Sequence, residues 1–279
     1  FQEKLKKTLT FPRLPLKQRH NYLRFFKIFK LKNTMEPKER ILFITGWILD
    51  YCSKMPKKPD SLVVGVSGGI DSAVVSTICA ASGFKTFALS MPIKQIKEQD
   101  DLSKVHCDWL FDNFKNVDVL NINLDSTFGE FEKSLGKNNN EHAFANTRAR
   151  LRMSTLYQVA GSNNGIVVGT GNKVEDFGVG FYTKYGDGGV DISPIADCTK
   201  TQVWDMGKEL GINPSIINAA PTDGLWSDGR NDEQQLGMSY QELEEAMSNP
   251  NSANRSKYLK IREMNLHKMN PIPVCKFDE

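Results

Sequence analysis

Apolar residues occur along the chain in two patterns: short unbroken runs, and longer segments in which they recur every three or four positions. Unbroken runs rich in β-branched residues are typical of buried strands, and they lie at 62–66, 85–90, 117–122, 166–170 and 191–195. The segments between them are predicted to be helices. Strands that alternate with helices predict an α/β fold: a doubly wound, parallel five-stranded sheet with helices on both faces.

The first apolar run ends in a Ser-Gly-Gly turn, within the segment LVVGVSGGIDS at 62–72. A helix is predicted at 73–82, so the turn lies at a helix N-terminus, where unpaired N–H groups and the helix dipole favour an anion. Glycines let a phosphate approach the backbone, and Ser67 and Ser72 add hydroxyl donors. Asp71 would repel a polyphosphate unless a cation, expected to be Mg²⁺, lay between them. An ordinary tight turn is the alternative, and the aspartate and both serines favour the phosphate site.

A second strand end is expected in the same crevice, because ligands of such sheets bind beyond the carboxyl ends of the strands. The loop at Ser67 and the residue Thr170 both lie at such ends. Glu175 follows five residues after Thr170 and could reach a metal held by Asp71. A solvated loop carboxylate is the alternative for Glu175.

Polar side chains on the helix predicted at 143–160 are a further candidate. Asn146 and Arg150 lie one turn apart on the same face and could hold a polar substrate. The alternative is that Arg148, Arg150 and Arg152 only solvate the surface of the helix.

The segment FYTKYGDGGVDISP at 181–194 is predicted to form a closing lid, because it is rich in glycine at 186–189 and carries the charged residues Lys184, Asp187 and Asp191. After it, Lys200 lies in the first turn of a helix that begins at a threonine cap. A cation there is unfavourable against the helix dipole unless an anion is bound nearby, so Lys200 is a candidate phosphate ligand.

Composition is ordinary for an enzyme, with 39% hydrophobic and 25% charged residues among 279. No apolar run approaches the roughly 20 residues of a membrane span, so no membrane partner is expected. Five scattered cysteines without a CxxC spacing predict a reduced, cytoplasmic protein without zinc.

The net charge of +3 conceals a basic arm at residues 1–34, which hold ten Lys or Arg and one Glu. The body, residues 35–279, is acidic and is predicted to be one domain. The arm is interpreted as appended or poorly ordered, with targeting or docking as the alternative. A helix is predicted after it, from a Thr34 cap, Pro37 and the apolar positions Ile41, Ile44, Ile48 and Tyr51.

From residue 35 to the C-terminus the chain resembles the ammonia-dependent NAD synthetases, members of the N-type ATP pyrophosphatases, whose phosphate loop reads SGGxDS. The segments GVSGGIDS, NTRARLRM, VVGTGNKVED, YTKYGDGGVDISPIADCTKTQV, APTDGLWSDGRNDEQQLGMSY and LHKMNPIP occur in that family's order. The resemblance implies an adenine nucleotide alpha hydrolase-like fold and a homodimer. One departure is Ser90, where many bacterial members carry an arginine that contacts ATP.

The resemblance also implies residue roles. ATP contacts are expected at Gly65, Val66, Ser67, Gly68, Gly69, Ile70, Asp71, Ser72, Thr170, Lys200 and Thr222. Magnesium ligands are expected at Asp71 and Glu175. Contacts to deamido-NAD are expected at Asn146, Arg150, Lys184, Asp191, His267 and Lys268.

The implied reaction is the last step of NAD biosynthesis, in which deamido-NAD is adenylated by ATP and then amidated, releasing pyrophosphate and AMP. Asp71 and Lys200 would assist the first step, and Asp187 would take the proton of ammonium in the second, with His267 as the other candidate. Direct use of ammonia is expected, because residues 1–34 are too short for a glutaminase. The alternatives are another adenylating amidotransferase, such as the synthetase of guanylate or a tRNA-modifying enzyme, and a nucleotide-binding module without catalysis. No nucleic-acid partner is expected.

Overall fold

The structure is a computed structural model that describes residues 35–222, 224–225 and 231–277. Four parallel strands form one sheet in the order β3-β2-β1-β4: β1 Ser61–Gly65, β2 Lys85–Ser90, β3 Val117–Asn121 and β4 Gly165–Val167. The chain builds outward from β1 to β3 and then returns to place β4 on the other side of β1. This reversal opens a crevice at the carboxyl end of β1.

Ten α-helices and one π-helix are assigned within the described ranges. The α-helices are α1 Pro37–Lys54, α2 Ile70–Ala81, α3 Lys97–Asn113, α4 Asp125–Leu135, α5 Glu141–Ser162, α6 Lys200–Leu210, α7 Pro214–Ile217, α8 Asp232–Leu236, α9 Tyr240–Ser248 and α10 Arg255–Met269; the π-helix is Lys173–Val179. None of the helices in these ranges combines the length and apolarity that a membrane span requires.

Helices cover both faces of the sheet, as the alternating pattern predicts. Leu62 and Val64 of β1 pack into a cluster with α1, α2 and α6. Val63, which points to the opposite face, packs into a second cluster with α4 and α5. The predicted α/β, doubly wound architecture is therefore confirmed.

The predicted fifth strand at 191–195 is wrong. Only a single bridge forms there, between Val168 and Ile192. The carboxylate of Asp191 accepts the backbone N–H of Val167 at 2.7 Å, so a side chain replaces part of the ladder. Pro194, which lacks an N–H, follows, and the backbone turns away. The sheet consequently has four strands.

Helix α1 follows the predicted face for three of its four apolar positions. Ile41, Ile44 and Ile48 are buried, whereas Tyr51 is exposed and Cys52 takes its place in the core. Thr34 lies outside the described residues, and the helix begins instead with a capping box made by Glu36 and Glu39.

Candidate active site

A cavity of about 290 Å³ opens at the carboxyl end of β1. It lies at the point where the sheet order reverses, the usual ligand position in such folds. All of the residues predicted to contact ATP line it: 65–72, Thr170, Lys200 and Thr222. Glu175 and Asp187 line it as well. The sequence therefore assembles one crevice from positions more than 150 residues apart.

The phosphate loop connects β1 to α2, and α2 begins at Ile70, three residues before the predicted start at Ala73. Asp71 and Ser72 consequently lie in its first turn. Gly68 adopts a φ of +93°, and a Cβ there would come within 2.7 Å of the carbonyl oxygen of Gln99. Only glycine fits this turn.

Two serine hydroxyls brace the loop. Ser72 Oγ lies 3.1 Å from Ser67 Oγ and accepts the N–H of Ser67 at 3.2 Å. Ser67 Oγ in turn accepts the N–H of Gly69 at 3.3 Å. The serines thus hold the turn against the helix N-terminus, where an anion is favoured.

A buried charge cluster lies beside this loop. Lys200 Nζ is 2.5 Å from Asp71 Oδ2 and 2.9 Å from Glu175 Oε1, and only 3% of the lysine side chain is exposed. Asn172 supports both carboxylates, because its amide donates to Asp71 and its oxygen accepts the N–H of Glu175. Three segments distant in sequence therefore meet around one cation.

The cluster stabilises its own charges. Burial alone would lower the pKa of Lys200, but Asp71 and Glu175 raise it above its usual value. Burial also raises the pKa of Asp71, against the opposing effect of Lys200. Burial opposes ionisation of Glu175 too, yet Lys200 and the Tyr240 hydroxyl hold its pKa below the ordinary value. Lys200 is therefore a protonated partner of ionised Glu175 in this structure.

Asp71 and Glu175 suit a divalent cation, since both carboxylates already approach a single ammonium. In the described parts of the chain, no group of three or more His, Cys, Asp or Glu is arranged to hold a metal. Two carboxylates suffice for Mg²⁺ when substrate phosphates and water complete its coordination.

The glycine-rich segment follows the π-helix and brings Asp187 to the cavity. The exposed Asp187 accepts the N–H of Thr183 at 2.9 Å. Its charge, together with burial as the main cause, raises the pKa of Asp176 well above the usual range. Burial lowers the pKa of Lys268, and Asp187 and Asp176 oppose that shift. The two carboxyl groups thus share this side of the cavity, and Lys268 lies near them but outside the cavity lining.

The six residues predicted to contact the dinucleotide lie outside the cavity lining. Five of them lie in or around the lid segment at 181–194: Lys184 belongs to it, and Asn146, Arg150, His267 and Lys268 contact it. Thr183 donates to Asn146 at 2.6 Å, and Arg150 donates to the carbonyl of Lys184 at 3.2 Å. From α10, the carbonyl of His267 accepts from Lys184 at 3.0 Å. Lys268, the next residue of α10, donates to the carbonyl of Tyr182 at 2.9 Å.

Asp191 is placed apart from these five residues. Its carboxylate accepts the N–H of Val167 and, at 3.0 Å, the hydroxyl of Tyr157. It therefore anchors the end of the lid segment to β4 and α5.

Two arginines contradict the interpretation of a merely solvated helix surface. Arg148 is buried, with its guanidinium 5.4 Å from the ring centroid of Phe128. Arg152 lines the cavity and donates to the carbonyl of Met91 at 2.9 Å and to Gln95 at 3.0 Å. Charge spacing along a helix does not reveal which turn faces a cavity.

Asn172 and Tyr240 complete the site and were not predicted. Tyr240 begins α9, and its hydroxyl reaches Glu175 across 65 residues of sequence. Ser90, the departure from the family resemblance noted in the sequence, is buried and accepts the Ser103 hydroxyl at 3.0 Å. Both unpredicted residues lie within segments that carry the family resemblance: Asn172 in VVGTGNKVED, and Tyr240 at the end of APTDGLWSDGRNDEQQLGMSY.

A parallel α/β sheet with a glycine phosphate loop and paired carboxylates at its switch point is typical of a nucleotide-binding enzyme. A sequence model of the NAD synthase family matches residues 41–273. The chain belongs to the NAD synthase family.

Similar proteins agree with this assignment. The NH(3)-dependent NAD(+) synthetase of Finegoldia magna is 38% identical over 84% of this chain and 95% of its own length. That of Mesoplasma florum is 35% identical over 85% and 93%. Among solved structures, NMN synthetase from Francisella tularensis has a TM-score of 0.79 and 31% identity, covering 88% of this chain and all of that one. The NH3-dependent NAD synthetase of Campylobacter jejuni has a TM-score of 0.69 and 25% identity, covering 87% and 100%.

Proposed function

We propose that the chain converts deamido-NAD to NAD with ATP and ammonia, releasing AMP and pyrophosphate. The observation that carries this proposal is the cluster of Asp71, Lys200 and Glu175 beside the phosphate loop, in a chain of the NAD synthase family. The names of its NH(3)-dependent relatives support ammonia as the nitrogen donor.

In the first step, a carboxylate oxygen of deamido-NAD attacks the α-phosphorus of ATP. The bond from that phosphorus to the bridging oxygen breaks, and pyrophosphate leaves. The N–H groups at the start of α2 and the ammonium of Lys200 stabilise the departing negative charge. Asp71 and Glu175 would hold Mg²⁺, which when bound neutralises charge on the phosphates.

In the second step, ammonia attacks the carbonyl carbon of the adenylate, a C–N bond forms, and AMP leaves. Ammonium has no lone pair, so a base must first accept its proton. Asp187 is our candidate because it lines the cavity on the lid segment and stands beside the buried Asp176. His267 is less suited, since it is absent from the lining of the cavity.

Deamido-NAD would lie along the surface formed by the lid segment, α5 and α10. Arg150, Lys184 and Lys268 bring three cations to that surface, which suits a dinucleotide that carries two phosphates. Arg150 and Lys268 already contact carbonyls of the lid segment, and Lys184 of that segment contacts the carbonyl of His267 on α10. A ligand there would therefore bind next to an organised segment.

Nicotinic acid mononucleotide is the second substrate to test. The structural neighbour with a TM-score of 0.79 is an NMN synthetase, and both substrates present the same nicotinate carboxylate. A larger catalytic efficiency with deamido-NAD supports our proposal, and a larger one with the mononucleotide replaces it.

We further propose a reduced, cytoplasmic homodimer in which residues 35–279 form the catalytic domain and residues 1–34 an appended arm. Free thiols support the reduced state: Cys52, Cys79, Cys107 and Cys198 are buried and Cys275 is exposed. Light scattering during gel filtration tests the dimer.

The decisive experiment supplies ATP, Mg²⁺, ammonium and either deamido-NAD or nicotinic acid mononucleotide, and the products are identified by mass spectrometry. From deamido-NAD we expect equal amounts of NAD, AMP and pyrophosphate. Formation of ADP without AMP would refute the mechanism. Efficient turnover with glutamine as the sole nitrogen source would refute ammonia as the direct donor.

A further inference from the structure

Tyr240 connects the C-terminal third of the chain to the charge cluster. It is the first residue of α9, directly after a capping box formed by Ser239 and Glu242, and it is completely buried. Its hydroxyl contacts Glu175 Oε1 and lies 2.9 Å from Asp232 Oδ2. The side chain is thus fixed at both its backbone and its hydroxyl end.

The ring of Tyr240 also contacts the cluster of Asp71, Lys200 and Glu175. Its centroid lies 4.8 Å from Lys200 Nζ, within the range of a cation–π contact. Trp204 packs edge-on against the ring, with centroids 5.9 Å apart. One side chain therefore contacts the lysine through its face and the glutamate through its hydroxyl.

These contacts restrict groups that are otherwise adjustable. Glu175 and Lys200 have long side chains with several rotatable bonds, and holding them in one geometry costs conformational entropy. The buried ring and the hydroxyl of Tyr240 restrict both side chains to that geometry in the folded protein. When Glu175 binds a cation, its carboxylate is then already in position.

We infer that Tyr240 is a positioning residue that orients Glu175 for binding the divalent cation. The inference rests on the proposed function, since it takes Glu175 as a metal ligand. Hydrogen bonds to the ligands of a metal typically change its affinity or the activity by about 10-fold to 100-fold when they are removed.

Tyr240→Phe tests the inference, because it removes the hydroxyl and keeps the ring beside Lys200. Manganese is the probe. Binding of Mn²⁺ to the full chain is measured by the decrease of the EPR signal of the free ion, which gives the affinity without turnover. We expect an about 10-fold to 100-fold larger dissociation constant and a similar increase in the Mg²⁺ concentration needed for half-maximal NAD formation.

The matched control is Tyr258→Phe, because Tyr258 is also buried and belongs to the same apolar cluster. Its metal affinity should equal that of wild type. In the Glu175→Gln background, Tyr240→Phe should have little further effect, because the tyrosine acts through the glutamate.

Unchanged Mn²⁺ affinity in a folded Tyr240→Phe variant overturns the inference. If that variant does not fold, Asp232→Asn takes its place. The single hydroxyl proton of Tyr240 can be donated to Glu175 or to Asp232, and a neutral amide competes for it less well than a carboxylate. Mn²⁺ should then bind more tightly, and wild-type affinity in that variant also overturns the inference. If the wild-type protein binds Mn²⁺ but makes no NAD, the proposed function fails while the role of Tyr240 is still measured.

Discussion

At the residue scale, the central feature is one ammonium held between two carboxylates. Lys200 was expected to bind phosphate, and the structure adds that it pairs with Asp71 and Glu175. A buried charge that loses its partner is strongly destabilising. Substitutions in this cluster therefore affect stability as well as catalysis.

Asp71→Asn should abolish pyrophosphate release and also weaken the fold. Asp71 is a partner of the buried Lys200, and only 15% of its own side chain is exposed. Breaking a buried pair costs about 3 to 5 kcal/mol, and the lower value is expected because Glu175 still pairs with the lysine. Urea unfolding and a pyrophosphate assay measure both effects.

Asp205→Asn is the control for Asp71, since its contact with Lys208 is exposed. It should change neither measurement appreciably. Full activity in the Asp71 variant would exclude the aspartate as a metal ligand.

Asp187→Asn should slow amidation more than adenylation. Loss of a general base typically costs on the order of 10² to 10⁴ in the affected step. Rapid-quench measurements should then show pyrophosphate release ahead of NAD formation, with adenylated deamido-NAD accumulating. Asp118→Asn, at an exposed ion pair with Lys85, should behave as wild type. An equal decrease in both steps would instead assign Asp187 to binding or lid closure.

His106 should make the fold sensitive to acid. Burial lowers its pKa from 6.5 to about 4, so the unfolded chain takes up the proton first as pH falls. Its contribution to stability is therefore complete above pH 6.5 and is lost towards pH 4, by about 3 kcal/mol in total.

The test compares wild type with His106→Gln by urea unfolding between pH 7 and pH 4.5. The variant cannot take up this proton, so the difference in unfolding free energy between the two proteins should shrink as pH falls. A constant difference would contradict the assignment. His142→Gln, at an exposed position, is the control.

At the element scale, the loop between β1 and α2 depends on one backbone conformation. Gly68 has a φ of +93° and lies against the backbone of α3, whereas Gly83 has a φ of +82° and faces open space. Comparing substitutions at the two glycines therefore separates the energetic cost of a positive φ from the cost of a steric clash between an added Cβ and the backbone of α3.

Gly83→Ala should lower the unfolding free energy by about 1 to 2 kcal/mol, the cost of a left-handed alanine. Gly68→Ala should lower it further, because its Cβ would lie 2.7 Å from a carbonyl oxygen. It should also weaken ATP binding, since the loop must move. Urea unfolding measures the change in stability, and calorimetry with ATP measures the change in ATP affinity. Equal losses of unfolding free energy in the two variants would contradict the predicted collision at Gly68.

At the scale of the whole molecule, the family match begins at residue 41 and the described structure at residue 35. Deleting residues 1–34 should therefore leave kcat/KM within about twofold and the melting temperature unchanged, because α1 carries its own capping box. Steady-state kinetics and thermal unfolding of the truncated chain measure this. A large loss of activity in a folded truncation would establish a functional arm.

Much of the fold could be predicted because it depends on local signals. Runs of β-branched residues located four strands, and the Ser-Gly-Gly turn located the phosphate loop. The fifth strand failed because pairing depends on a partner: Asp191 caps β4 with its side chain, which a sequence window cannot show.

The sequence by itself determined the α/β class, the phosphate loop and the order of the motifs that identify the family, because these follow from short-range patterns and ordered residues. Only the tertiary structure decided that Lys200 bridges two carboxylates, that Arg152 faces the cavity and that Tyr240 supports Glu175. The physical reason is that burial and ion pairing act between groups that the fold brings together from distant parts of the chain.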